Sequence, residues 1–375
     1  MAATPVSSPA VAPAAIPLRP LVHGARPRSL RVREAVIDVL LRLCALSAVA
    51  GLLLIVVFVL REALPVLLDP ETRREASLER FFATAMWQPV GDVPKYGIAP
   101  LLLGTLKVVL VAMVFAVPVS VLAAVYASEF APARVREGLK PVIELLAGIP
   151  SVVLGFFALI VLASWVQSLT GAVSRLNALN AGFALGLGIV PTIFSVSEDA
   201  LRSVPRSYRE ASLALGASRW ATAWNVILPA AGAGVSAGIL LGLARAVGET
   251  MIVLMASGNA AMISGTPLDS VRTLSASIAA ELAEVVVGSP HYSTLFFLGG
   301  ILFLTTFVIN VCAGLFVLTF VAGSLPWWIG LLPVSEPASA MFLPVFWLAA
   351  GVLTAWAIAD RNVRTEIQGP FHSGA

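Results

Sequence analysis

The sequence predicts an all-α polytopic membrane protein with a six-helix core and a candidate extra span near the C-terminus. Three observations carry that prediction. Of 375 residues, 58% are hydrophobic and only 12% are charged, with a mean hydropathy of +0.93, which is not the composition of a soluble two-domain chain. Apolar runs recur that are long enough to cross a hydrocarbon layer about 30 Å thick. Finally, Lys and Arg gather in alternate short connections, the pattern that orients helices in a bilayer.

The elements follow in order. Residues 1–34 are rich in Ala and Pro and then in Arg (Arg19, Arg26, Arg28, Arg31, Arg33), so a disordered basic cytoplasmic tail is expected. The first apolar run, 36–60, is longer than the core of a secretory signal. Its Ala48-Val49-Ala50 lies inside the run rather than after it, so an uncleaved span is expected. Residues 61–98 are polar, with Pro65, Pro70, Pro89 and Pro94. Further spans are expected over 101–127, 141–167, 180–199, 229–257 and 292–321, so that 35–321 reads as the transmembrane domain. Gly148-Ile149-Pro150-Ser151 should interrupt the third span, either to line a cavity or as a packing kink. Lys107 is expected to snorkel to the outer interface.

Residues 322–375 read as a C-terminal extension. Within it, 339–358 is either a seventh span or an interfacial segment following Pro326-Trp327-Trp328, whose tryptophans read as interfacial anchors. A seventh span would place Arg361 and Arg364 outside, against the charge rule.

Orientation comes from the loops. The connection 128–140 carries Arg134, Arg136 and Lys140, and 200–228 carries Arg202, Arg206, Arg209 and Arg219. By contrast, 168–179 and 258–291 hold one Arg each, Arg175 and Arg272. A cytoplasmic N-terminus is therefore expected, with 61–98 outside, where six acids outnumber five bases.

Several function classes are disfavoured. Cys44 and Cys312 lie in apolar segments and imply neither a disulfide framework nor a metal site. The histidines (His23, His291, His372) are scattered, against an intramembrane metalloprotease. The only lysines are Lys95, Lys107 and Lys140, and none follows a Gly-rich phosphate loop, so no Walker-type nucleotide site is expected on this chain. No nucleophile triad or carboxylate pair stands out. Catalytic residues, bound cofactors and a nucleic-acid partner are not expected.

Two stretches say more. In Arg206–Pro229, Ser207-x-x-Glu210 has the spacing of a capping box that opens a short helix. Gly216 fits a left-handed terminator, and Ser218 can cap a second helix that ends at Pro229. Leu213, Ala217, Trp220 and Trp224 fall on one helical stripe across the bend. The other stretch is Gly242–Met251, inside the fifth span. Charges at mid-membrane are costly, about 2.5–3.5 kcal/mol each on insertion scales, so a functional reading is the default. Arg245 and Glu249 stand at i, i+4 and can form a purely structural ion pair. The other reading is that Arg245 offers a planar, permanently charged fork to an oxyanion. Glu249 then partners Arg245 when the path is empty, or accepts a hydrogen bond from protonated phosphate.

Glu210-Ala211-Ser212, three residues, Gly216, nine residues and Val226-Ile227-Leu228-Pro229 resemble the EAA motif of ABC importer permeases. Ser212 stands where Ala is usual and Val226 where Ile is usual. GIPSVVLGFFAL at 148–159, VPRSYREASLALGASRW at 204–220 and ARAVGETM at 244–251 look like the phosphate-specific (Pst) importer. VRTLSASIAAELAE followed by HYSTLFFLGGILFLTTFVIN, with Asn310, is most similar to its C-type permease subunit, the A-type subunit being second. The resemblance covers roughly 36–320.

It implies an ABC importer type I permease fold and ATP-driven uptake of inorganic phosphate across the bacterial cytoplasmic (inner) membrane. Glu210, Ala211, Gly216, Leu228 and Pro229 would serve ATPase coupling, and Arg245 and Glu249 substrate translocation. The implied partners are a sister A-type permease in a heterodimer, two ATPase subunits that use ATP and Mg, a periplasmic phosphate-binding protein and membrane lipid. The alternatives are a permease for another oxyanion (sulfate or molybdate) and a secondary transporter driven by an ion gradient, which would need its own coupling-ion site.

Overall fold

A computed structural model describes residues 28–91 and 93–328, with side chains from 36 to 315. The chain divides at Val57/Phe58 into two compact units. The described part of the first lies within helix α1 (Arg28–Ala63), where Arg42 pairs with Asp38 one turn away at 2.7 Å. Residues 28–34 of the expected tail are thus helical. The correction has a local cause: Arg-Ser-Leu-Arg-Val-Arg-Glu follows Pro27, contains no further Gly or Pro, and propagates the span's own helix. The disorder expected of 1–27 lies outside the described residues.

In the second unit, 61–98 is more ordered than its composition suggests. It forms α2 (Pro65–Leu68), α3 (Pro70–Glu75) and α4 (Leu78–Ala83), each started by a residue that fits the first turn. Pro65 and Pro70 sit where a missing N–H costs nothing. Asp69 accepts from Thr72 N and Oγ1 at 2.9 and 2.7 Å, and Ser77 accepts from Arg80 N. An antiparallel pair, β1 (Trp87–Gln88) and β2 (Lys95–Tyr96), pairs Trp87 with Tyr96. These two short strands and an isolated parallel bridge between Gly258 and Val271 are the departures from an all-α chain among the described residues.

Beyond them run α5 (Ala99–Val125), α6 (Ala133–Ala147), α7 (Ser151–Phe157), α8 (Ala163–Thr170) and α9 (Ala178–Ser203). A π-helical turn, Tyr126–Phe130, extends α5, and another, Ala158–Leu162, joins α7 to α8. The third span is Ser151–Thr170, not 141–167. α6 is a separate amphipathic helix with no buried residue. Its charges (Arg134, Arg136, Glu137, Lys140, Glu144) and its apolar positions (Val135, Val142, Leu145) alternate at helical spacing, and that apolar face mimicked the start of a span. Pro150 breaks the chain because it disfavours helical geometry at Ile149. The interruption at 148–150 therefore separates two elements rather than kinking one.

Next come α10 (Arg206–Ala214), α11 (Arg219–Thr222), α12 (Leu228–Ala230), α13 (Gly232–Gly248), α14 (Met251–Ala256), α15 (Leu274–Glu281) and α16 (Pro290–Trp328). A π-helical turn, Ala223–Ile227, links α11 to α12. The helix passes through Pro229 and bends by 71° only after Ala230. α16 continues past 321, while 339–358 lies outside the described residues, as do the side chains of Trp327 and Trp328.

Glycine notches decide which spans meet. On α9, a Cβ at Gly182 would lie 2.4 Å from Val111 Cγ1, and one at Gly186 2.7 Å from Phe115 Cδ1. On α13, a Cβ at Gly234 would lie 2.4 Å from Ala200 Cβ, and one at Gly242 2.5 Å from Ile193 Cγ1. Gly182/Gly186, and Gly234/Gly242 with Gly238 between them, form small-xxx-small patterns that let backbones approach closely. α9 is thereby held between α5 and α13. Lys107 does not snorkel: it is 7% exposed and donates to Ser264 O and Thr266 O at 2.5 and 3.1 Å.

Candidate functional site

The 206–231 stretch folds as the expected helix-turn-helix, with a correction at its start besides the one at Pro229. α10 begins at Arg206 with Pro205 in the cap position and no side-chain cap. Ser207 is then already inside the first turn, so the capping box does not form. Gly216 adopts φ +82°, a conformation only glycine takes without strain. Ser218 accepts from Ala221 N at 3.2 Å, as its capping role requires. Ser212 and Thr222 close the bend with a buried hydrogen bond of 2.9 Å between hydroxyls. Trp220 and Trp224 meet edge to face at 5.6 Å. Leu213 and Trp220 are both exposed, at 47% and 60%.

The residues expected to couple to an ATPase therefore separate. Glu210, Ala211 and Gly216 are exposed, together with Leu213, Leu215 and Trp220. Glu210 has no hydrogen-bond or ion-pair partner among the described residues. Leu228 is buried among Ala124, Phe194, Leu201 and Val235, and Pro229 is half-buried beside it. One set faces outward and the other ties the loop to the spans.

Sequence reading missed the residue that fastens this loop, Glu129. Arg209 donates to Glu129 Oε1 at 2.7 Å and to Oε2 at 3.1 Å, and also to Leu201 O and Val204 O at 2.9 and 2.6 Å. Arg219 donates to Glu129 O at 2.7 Å, and Arg136 to Ala127 O and Ser128 O at 2.8 and 2.9 Å. The Arg209–Glu129 pair is 22% and 11% exposed at its two side chains. One guanidinium thus joins α10 to the ends of both α5 and α9. The available signal was a lone acid closing an apolar run opposite a basic loop.

Arg245 lies on α13, about 20 Å from its start at 1.5 Å per residue. It is exposed, and its Nη1 donates to Thr192 Oγ1 on α9 at 2.8 Å. It does not pair with Glu249, which corrects the i, i+4 expectation. α13 ends at Gly248, and Glu249 is extended (φ −67°, ψ 132°), so the two are no longer stacked on one helix. α13 alone reaches about 25 Å, short of the hydrocarbon thickness, and it is long enough to cross only together with Arg219–Ala230 across the 71° bend. The freed carbonyl of Glu249 accepts from Ser275 Oγ at 2.8 Å. Such unwound backbone is tolerated at membrane depth only inside protein or beside water. Glu249 Oε1 accepts from Thr250 N at 3.2 Å.

The opposite end of α5 carries a second polar hub. Glu281 accepts from Trp87 Nε1 at 3.0 Å, pairs with Arg272 at 2.9 Å and lies 2.9 Å from His291 Nε2. Burial pushes its carboxyl up, but hydrogen bonds from His291 and Trp87 and the charge of Arg272 outweigh burial and hold it below the usual carboxylate value of 4.5. Burial likewise pushes the Tyr96 phenol up to about 12. A depressed carboxylate contributes stability that is present above its unfolded value and lost as pH falls through the folded one. Thermal melts of the purified protein from pH 6 to 3 are expected to fall more steeply for wild type than for Glu281→Gln. Parallel curves would refute this role.

Residues 116–323 match the family described as binding-protein-dependent transport system inner membrane component. The probable ABC transporter permease protein YqgH of Bacillus subtilis is 37% identical over 228 residues, covering 61% of this chain and 74% of that protein. The phosphate transport system permease protein PstC of Xylella fastidiosa is 33% identical over 306 residues, covering 76% of this chain and 92% of that protein. The phosphate transport system permease protein PstC 2 of Mycobacterium bovis is 30% identical over 336 residues, covering 84% and 97%.

Proposed function

Because this chain belongs to the binding-protein-dependent transport system inner membrane components, a family of multi-pass membrane proteins, we propose that it is the permease subunit through which inorganic phosphate enters a bacterial cell. The relatives named for phosphate transport, similar over most of both chains, support the substrate. The basic loops support a cytoplasmic N-terminus and a cytoplasmic 206–231 loop. The observation that carries the coupling is the Arg209–Glu129 clamp. A loop with an exposed acid and apolar rim, rigidly tied to the ends of two spans, can turn a push on its surface into movement of those spans.

In this reading separate ATPase subunits, which use ATP and Mg, dock on Glu210, Ala211 and the turn at Gly216. Leu228 and Pro229 pass their movement to α13. A periplasmic binding protein delivers phosphate, and a sister A-type permease completes the pore. Arg245 offers its free N–H groups to the anion, while Thr192 keeps the fork from folding away. Glu249, at the break, accepts a hydrogen bond from a protonated phosphate oxygen.

The test is reconstitution. The chain, co-purified with its ATPase and sister permease, is placed in vesicles with ATP inside and the binding protein outside. Saturable phosphate uptake that needs ATP is expected. Uptake driven by an ion gradient without the ATPase, or equal uptake of sulfate, would overturn the reading.

A further inference from the structure

Helix α9 is mostly buried, yet one face of its second half is open. Gly188, Thr192, Ser195, Asp199 and Ser203 fall within an arc of roughly 80° at 3.6 residues per turn. None of them is buried, and the last three are exposed. Ser195 and Asp199 have no hydrogen-bond or ion-pair partner among the described residues. The adjacent Glu198 is the opposite case: it is 5% exposed and held by Arg202 at 2.6 Å. Asp199 is thus a bare carboxylate on an open polar face.

Open faces elsewhere are different in kind. The third span exposes Val153, Phe156 and Ile160, and the last exposes Leu304, Phe307 and Val311. Those surfaces suit hydrocarbon. The α9 face does not, because unpaired polar groups at membrane depth face protein or a water-filled cavity. Its upper member, Thr192, is the residue that holds Arg245, at 2.8 Å. From there the stripe descends about 10 Å to Asp199 by helical rise, ending where α9 meets the 206–231 loop.

We infer that this face lines the exit half of the anion path, leading from Arg245 to the mouth beside the docking loop, and that it suits an oxyanion carrying a hydroxyl. The Ser195 hydroxyl donates to an anionic oxygen. Asp199 has only acceptors to offer when ionised, so it accepts from a P–OH and repels an oxyanion that has lost all its protons. The inference rests on the assignment of Arg245 to the substrate path. It adds the residues that follow Arg245 and the kind of anion they pass.

The experiment uses the reconstituted transporter with Cys44 and Cys312 replaced by Ser and single cysteines placed by Ser195→Cys, Asp199→Cys or Phe307→Cys. A water-soluble anionic thiosulfonate is added from the cytoplasmic side without nucleotide. Modification at 195 and 199 at least tenfold faster than at 307, with loss of phosphate uptake, is expected. Equal, slow modification at all three would mean that lipid or a neighbouring chain covers the face, and would overturn the inference. Separately, Asp199→Asn is expected to lower maximal phosphate uptake about three- to tenfold with unchanged half-saturation, and Asp199→Glu to restore it. No change in Asp199→Asn would remove the acceptor role. If Arg245→Ala transports normally, the function reading fails whatever the cysteines show. If Arg245→Ala is inactive and the cysteines do not react, only this inference fails.

Discussion

Arg209→Ala is expected to uncouple the transporter. The side chain satisfies Glu129 and the last carbonyls of α9 at once, and no neighbour can replace all of those contacts. Removing one partner of a buried ion pair costs about 3–5 kcal/mol. The partial exposure of this pair, 22% and 11%, puts the expected loss near the lower figure. Glu129→Gln keeps the shape and a neutral hydrogen bond, so its loss should be nearer the difference between charged and neutral bonds, about 1 kcal/mol. In vesicles, Arg209→Ala should retain ATP hydrolysis while phosphate moved per ATP falls at least tenfold. Melting of the purified assembly reads the stability and the transport ratio reads the coupling. An unchanged ratio would show that the clamp carries no force.

Arg245→Ala is expected to abolish uptake without disturbing assembly. Arg245 is exposed and its one hydrogen bond is to Thr192, so little of the fold depends on it. Hydrogen bonds to charged groups contribute about 1.5–3 kcal/mol each. With 1.4 kcal/mol per factor of ten, losing even one such bond to the anion lowers the rate roughly ten- to hundredfold. Arg245→Lys keeps the charge but not the planar fork and should recover only part of the rate. Thr192→Val should give a smaller loss, since the fork remains but is no longer held. Normal uptake by Arg245→Ala, at equal protein and ATPase content, would remove this residue from the path.

Features legible in the sequence were those whose cause lies within a few residues. Hydropathy located the spans, and it misplaced the third because the apolar face of α6 resembles the beginning of a span over that short a window. The left-handed turn at Gly216 and the cap at Ser218 were readable from local residue chemistry. The capping box failed because the helix starts two residues early, with Pro205 rather than Ser207 in the cap position. Arg245 stood out because a mid-span charge is costly anywhere, but its partner could not be read: helical spacing nominated Glu249, and the chain unwinds there instead.

By itself, then, the sequence determined the class of protein, most of its spans, the turn chemistry of the 206–231 loop and the residues worth suspecting. Only the tertiary structure decided what they touch. Arg209 meets Glu129 across 80 residues, Arg245 meets Thr192 across 53 and Trp87 meets Glu281 across 194. The physical reason is one of range. Burial tendency, caps and turn preferences act over one or two turns, whereas these pairs join elements distant in the chain, as when the glycine notches that seat α13 against α9 bring Arg245 to Thr192. Such meetings belong to the packed whole.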